Sequence, residues 1–144
     1  METLIGLLVV ALVVYWLLKK RQNKQRPKPS RAVNNAVSLD LPTREYSVVG
    51  MEHHLTKRQI QTINPPYLVA VPEPTNHHDR NAVKITDPSG RKVGYMSAGL
   101  AQYYHGPIKQ LGSLRMECRK SSDRLHYQIP KWQDLEKHNF WRNQ

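Results

Sequence analysis

Fifteen consecutive residues near the N-terminus, Leu4 to Leu18 (LIGLLVVALVVYWLL), carry no charge and no polar interruption beyond a tyrosine hydroxyl. Such a run has no face to turn toward water, so as a helix it must be surrounded by apolar material on all sides. It would span about 22 Å at 1.5 Å per residue, somewhat less than the ~30 Å hydrocarbon core of a bilayer. Met1 and Thr3 extend it at one end, and Lys19 and Lys20 can reach the interface on apolar stems at the other. Tyr15 and Trp16 stand where interfacial aromatics belong. A cleaved signal peptide needs basic residues before the run and a small-residue cleavage site after it. Here Met-Glu-Thr precedes and the basic residues follow. Residues 1–18 are therefore expected to form a transmembrane anchor helix.

The formal charge of +11 is unevenly placed. Seven Lys and Arg residues fall between 19 and 31 with no acid among them, whereas residues 32–144 hold 15 basic and 10 acidic side chains. Basic residues directly after a span stay on the cytoplasmic side. The expected topology is single-pass, with the N-terminus outside and residues 19–144 in the cytoplasm. Residues 19–44, punctuated by Pro27 and Pro29, read as a disordered, basic linker that cannot bury enough apolar surface to order itself. Its stripe at 19–31 suits anionic lipid headgroups. A balance this basic also suits nucleic acid. The single cysteine, Cys118, rules out an intramolecular disulfide and a cysteine-built zinc site, and fits a reducing compartment. It alternates with core residues and reads as inert packing.

The remainder is patterned as one small β-rich domain over residues 45–130, with a tail at 131–144. YSVVGM (46–51) is β-branched, and Leu55 to Thr62 reads as a helical turn. YLVAV (67–71) is an apolar run bounded by prolines, as in a buried strand. NAVKI (81–85) alternates, DPSG (87–90) is a strong turn, and RKVGYM (91–96) completes a hairpin. Ser97 is placed to cap a helix that Gly106-Pro107 ends, with a second short turn at 107–111. LRMEC (114–118) alternates, SSDR (121–124) turns, and LHYQI (125–129) pairs back. In the tail, Trp132, Leu135 and Trp141 are expected to pack a short helix on the domain. About six short strands with short helices point to a mainly β barrel or roll. Its expected core is Val48, Val49, Leu68, Val69, Val71, Val83, Ile85, Val93, Leu100, Leu111, Leu114, Met116 and Ile129.

Residues 73–96, EPTNHHDRNAVKITDPSGRKVGYM, resemble the signature of the HIRAN domain family. The matching positions are Glu73-Pro74, Asn76, His78-Asp79, Asn81-Ala82-Val83 and Val93-Gly94-Tyr95-Met96. Val49-Gly50 upstream and the helix after residue 97 follow the family order. The resemblance covers about residues 46–130. It implies an OB-like β-barrel and, as in helicase-like relatives, capture of single-stranded DNA at a free 3′-hydroxyl end.

The loop has a physical logic of its own. Pro74 fixes φ where the chain leaves a strand, and Asn76 and Asn81 can bond nearby backbone. Asp79 is an acceptor-only carboxylate. It can take a hydrogen bond from a terminal hydroxyl, which an internal phosphodiester lacks, or it can simply cap its own loop. His53 and His78 can stack on bases. Arg80, Lys84, Arg91, Lys92 and Tyr95 are candidate groove residues or plain solvated surface. The candidate nucleic-acid-binding set is thus His53, His78, Asp79, Arg80, Lys84 and Tyr95. The pairs His53-His54 and His77-His78 suggest zinc, but adjacent strand residues point to opposite faces and no H-x₃-H helix spacing occurs, so no cofactor is expected. No phosphate-cradling glycine loop, nucleophile elbow or metalloprotease helix is present, so no catalytic residue is expected either. Two functions remain: a non-catalytic nucleic-acid-binding module tethered to the membrane, or a membrane-anchored adaptor for an unidentified protein partner. Glu52, which by the resemblance stands where DNA-binding relatives place a basic residue, favours the second; Asp79 and the net +5 of residues 32–144 favour the first.

Overall fold

The computed structural model describes Val14, Tyr15 and residues 31–143. The expected anchor therefore lies, but for Val14 and Tyr15, outside the described residues, as do residues 19–30 of the basic stretch. Among the described residues no helix is long and apolar enough to cross a membrane.

Six strands form one sheet: β1 (Thr43–Ser47), β2 (Tyr67–Pro72), β3 (Val83–Thr86), β4 (Lys92–Tyr95), β5 (Leu114–Lys120) and β6 (Leu125–Pro130). Their order is β1-β6-β5-β2-β3-β4, and every pairing is antiparallel. The sheet curls until its edges meet just beyond β1. The Val48 N–H donates to the Leu125 carbonyl at 2.9 Å, and Val49 exchanges two backbone bonds with Tyr95, each 2.9 Å. Two consecutive residues thus join β6 on one side to the edge strand β4 on the other.

Gly94 permits this closure. A Cβ at that position would lie 2.5 Å from Val48 Cγ1 and 2.5 Å from the Val49 carbonyl oxygen. The strand expected over 46–51 is accordingly divided. β1 ends at Ser47, and Val49 serves the seam and is 38% exposed rather than a core residue. Gly50 then leads into a 3₁₀ turn at Met51–His53.

The α-helices among the described residues 31–143 are α1 (Arg31–Asn34), α2 (Lys57–Thr62), α3 (Ala98–Leu111) and α4 (Trp132–Arg142). Thr56 and Gln59 form a capping box at the start of α2, each side chain satisfying the other's otherwise orphaned N–H. The interior is filled by Leu68, Ala70, Val83, Ile85, Leu114, Met116, Leu125, Tyr127 and Ile129 from the strands, and by Ala101, Tyr104, Ile108 and Leu135 from the helices. Met51, Leu55 and Met96 are buried too, while Leu100, expected inside, is only partly so.

The structure corrects three further expectations. First, the stretch assigned to a disordered linker is folded from residue 31 onward. In β2 both faces are buried: Leu68 and Ala70 face the core, and α1 lays Val33 against Val69 and Val71 on the other side. Ser113 Oγ donates to the Ala32 carbonyl, and Val37 bridges to Leu114. Burial of Val33 on Val69 and Val71, with Ala32 and Ala36 packed beside it, outweighs the polar composition around it. Second, Gly106-Pro107 does not end α3. The helix runs on to Leu111 because Pro107, Ile108 and Leu111 are buried. Burial on that scale offsets the ~3 kcal/mol cost of an interior proline. The helix stops instead at Gly112, whose φ of 88° an L side chain rarely adopts. Third, Trp141 does not pack on the barrel. Leu135 is fully buried and Trp132 half-buried, but Trp141 is 71% exposed.

Candidate nucleic-acid interface

The signature residues converge on one carboxylate, Glu73, where β2 hands over to the loop. Tyr95 Oη donates to Glu73 Oε2 at 2.7 Å, and Asn76 Nδ2 donates to the same oxygen at 2.9 Å. Lys92 Nζ donates to Tyr95 Oη at 2.7 Å and lies 3.6 Å from Glu73 Oε1, while Lys84 Nζ lies 3.7 Å from that oxygen. Burial pushes the Glu73 carboxyl up, but the hydrogen bonds from Asn76 and Tyr95 and the two ammonium groups together hold it below its ordinary value. The bond to Tyr95 raises Lys92, against burial and with help from Glu73. Sequence reasoning placed Glu73 in the signature without a role. Its signal was the pairing of one half-buried acid with two lysines and a tyrosine on adjacent strands.

Asn76 organises the loop with its other amide atom. Oδ1 accepts the N–H of His78 at 2.9 Å and of Asp79 at 3.2 Å. Asp79 Oδ1 then accepts the N–H of Asn81 at 2.8 Å, which is the loop-capping role weighed for it. Among the described residues its Oδ2 takes no hydrogen bond or ion pair, so one oxygen is committed to the loop and one is open. Asp79's charge also reaches the α3 residue His105, whose pKa burial and Lys109 nonetheless push down.

The candidate residues are not all brought together. Tyr95 and Lys84 meet at Glu73, and Asp79 stands at the other end of the Asn76 bridge. His78 and Arg80 are exposed on the loop. His53 is exposed and lies 3.7 Å from Glu52, with no bond to this cluster among the described residues. Its neighbour His54, missed in the sequence, takes the place beside Tyr95, ring centroids 5.6 Å apart. Burial, Lys92 and His53 lower the pKa of His54. Lys92 sits over the Tyr95 ring at 4.8 Å, so that ring is partly covered. Arg91 is tied back to the β3–β4 turn: its Nε donates to Asp87 Oδ2 at 3.1 Å. Asp87 Oδ1 also accepts the N–H groups of Ser89 and Arg91, both at 3.0 Å.

Across the seam lies an open cleft of about 470 Å³ lined in part by Val49, Met51, Glu52, Lys57, Asp123 and Arg124. Two acids and two bases share its rim. Cys118 is buried enough that its thiol is pushed up to about 11, which keeps it a poor nucleophile. Among the described residues, no three of His, Cys, Asp and Glu stand together as a metal would need.

A curled antiparallel sheet carrying an Asn-organised loop beside a Gly-mediated seam defines a small half-barrel domain. Residues 43–130 match the sequence profile of the HIRAN domain, and the protein belongs to that family. The crystal structure of the HIRAN domain of human HLTF is similar: it is 18% identical, covers 67% of this chain and 88% of that one, and aligns with a TM-score of 0.48. No curated protein matches the chain.

Proposed function

We propose that the chain is a non-catalytic nucleic-acid-binding module that takes single-stranded DNA at a free 3′-hydroxyl end and is held at a membrane by residues 1–18. The observation that carries the reading is the divided Asp79 carboxylate. Oδ1 is fixed by Asn81 N–H, and Oδ2 is left to accept a donor from outside. A terminal hydroxyl supplies such a donor, and a phosphodiester does not. Exposed His78 and Arg80 flank the carboxylate, giving one ring to stack on a base and one cation for the adjoining phosphate. Lys84 and Lys92 add charge, although Glu73 offsets part of it.

The test is a fluorescence-anisotropy titration of the detergent-solubilised full chain with oligonucleotides ending in 3′-hydroxyl or 3′-phosphate. The hydroxyl end should bind more tightly, and Asp79→Ala should remove that preference. Equal binding of both ends, or none, defeats end recognition. A uniform gain in affinity for Asp79→Ala would reduce Asp79 to a loop cap and leave charge as the only attraction. If residues 19–31 supply that charge, the logarithm of the binding constant falls with log salt by about 0.7 for each single-strand phosphate neutralised.

The second reading, a membrane-anchored adaptor, draws on the mixed rim of the cleft. Glu52 and Asp123 there oppose phosphate and suit a peptide of alternating charge. A chain that ignores both oligonucleotides at low salt would favour it.

A further inference from the structure

The helical side of the molecule carries an aromatic patch that the DNA reading does not use. α4 buries Leu135 and Asn139, one helical turn apart, and leaves Lys137, Phe140, Trp141 and Arg142 exposed. Phe140 is 59% and Trp141 71% exposed, and their rings meet edge to face at 5.5 Å. Two large aromatic side chains left in water at one helix end, among cations, form the amphipathic pattern of a bilayer-interface segment.

Position within the fold says which surface they meet. α4 runs alongside α3 in the same direction. Near its start Trp132 stacks on Tyr103 with centroids 5.5 Å apart, and near its end Asn139 Nδ2 donates to the Pro107 carbonyl at 2.9 Å. The last turn of α4 therefore lies toward the last turn of α3. There Ser113, just past α3, holds the Ala32 carbonyl, and Val37 bridges to Leu114. The chain thus enters the folded unit, at Arg31, at the same end of the molecule where Phe140 and Trp141 are displayed.

Only 12 residues, 19–30, separate the apolar run from Arg31. Even fully extended, 12 residues reach no more than about 43 Å. A tether this short keeps the entry end near the bilayer at an effective concentration in the millimolar range, so a weak contact is enough. Exposed Lys137, Arg142, Lys109 and Arg31 match an anionic surface, with Glu136 the opposing charge on the exposed part of α4.

We propose that the Phe140–Trp141 end of α4 seats in the anionic bilayer interface and fixes the orientation of the barrel. The proposal rests on the anchor reading of residues 1–18, and the experiment separates the two. The full chain, with Cys118→Ser, is reconstituted in phosphatidylcholine–phosphatidylserine vesicles with a spin label at Asn143→Cys or at Gln133→Cys. Collision rates with oxygen and with a water-soluble nickel chelate are then compared. The oxygen-to-nickel ratio should be several-fold higher at 143 than at 133, and Phe140→Ala with Trp141→Ala should bring the two together. Equal ratios at the two sites, or a ratio at 143 indifferent to those substitutions, overturns the proposal. A label at 143 that is immobile and shielded from both quenchers points to a protein contact and overturns it as well. Alkaline extraction reads the anchor separately. A chain retained in the membrane with a water-exposed label defeats the α4 contact alone. A chain released by alkali, but with its label immersed beforehand, defeats the anchor alone.

Discussion

The loop from Glu73 to Ala82 and the paired helices α3 and α4 hold their shapes by opposite means. In the loop almost nothing apolar is buried, and the backbone is fixed by side-chain oxygens: Asn76 on two amides, Asp79 on a third, Glu73 on Asn76 and Tyr95. In the helices the apolar stripe Ala101, Tyr104, Ile108 and Leu111 does the positioning, with Leu135 against it. Polar groups there appear singly. Tyr104 Oη donates to the Pro130 carbonyl at 2.8 Å, and Asn139 caps Pro107. Polar scaffolds depend on particular residues at fixed spacings, whereas apolar ones tolerate exchange of like volumes. Substitutions in the two regions should therefore fail differently.

The sharpest break should come where the loop side meets the barrel seam. Gly94→Val places carbon atoms inside the van der Waals shells of Val48 and the Val49 carbonyl, and should cost about 3 kcal/mol or more. Urea denaturation followed by circular dichroism would show it; a variant of unchanged midpoint would mean that the seam does not close as described. On the helical side, Asn139→Ala strips the Pro107 carbonyl of its donor and should cost about 2 kcal/mol by the same measurement. A loss under half that size would mean that water replaces the amide.

Asn76→Ala should separate stability from recognition. Losing the bonds to His78 and Asp79 should lower global stability by only about 1 kcal/mol, because the loop is solvated. DNA-end affinity should fall by a factor of about ten or more, since Asp79 loses its fixed position. Equal losses in the two measurements would deny the loop a separate role.

The pH response should be smaller and one-sided. Glu73 is held below its ordinary 4.5 in the folded chain. Its contribution is therefore complete at neutral pH and is lost as pH falls through that lowered folded value. His54, also lowered, from 6.5, begins to oppose folding once the unfolded chain can take up its proton. Stability should decline from about neutral pH into the acid range, and Glu73→Gln should flatten the lower part of the decline in denaturation curves. A Glu73→Gln profile parallel to the wild type would remove Glu73 from the account. The smallest effect should be a gain: Gly99→Ala meets nothing within 4 Å and should stabilise α3 by up to ~1 kcal/mol.

The same contrast explains what could be read before the structure. The loop was legible because each of its bonds demands a residue type at a set distance, so Asn76 and Asp79 stand out in the sequence itself. Glu73 escaped a role because its partners lie on β4 and β3, about ten to twenty positions on, and pairing at that range is set by register. His54 is hard to tell from His53 in the sequence, because which of two neighbouring histidines meets Tyr95 is set by the 3₁₀ turn at Met51–His53. On the helical side, periodicity gave the existence of α3 but not its end. A local stop signal at Gly106-Pro107 was overridden by buried atoms that no local pattern reveals. Val33 was hidden for a related reason: one valine in a basic, proline-bearing stretch looks like linker until a bare strand face is found to need it.

That valine bears on how the protein can be cut. The family profile begins at residue 43, yet β2 is covered on its outer side by α1, twelve positions earlier. A fragment started at the family boundary would keep every strand and lose the cover over Val69 and Val71, two apolar side chains on a central strand. Such a piece would fold with a sticky stripe along its middle and would self-associate at working concentrations. Its clumping could then pass for an oligomeric state, or its poor yield for an intrinsically unstable barrel, when the cause is the missing stretch 31–42, with Val33 over β2 and Val37, Leu39 and Leu41 against the core.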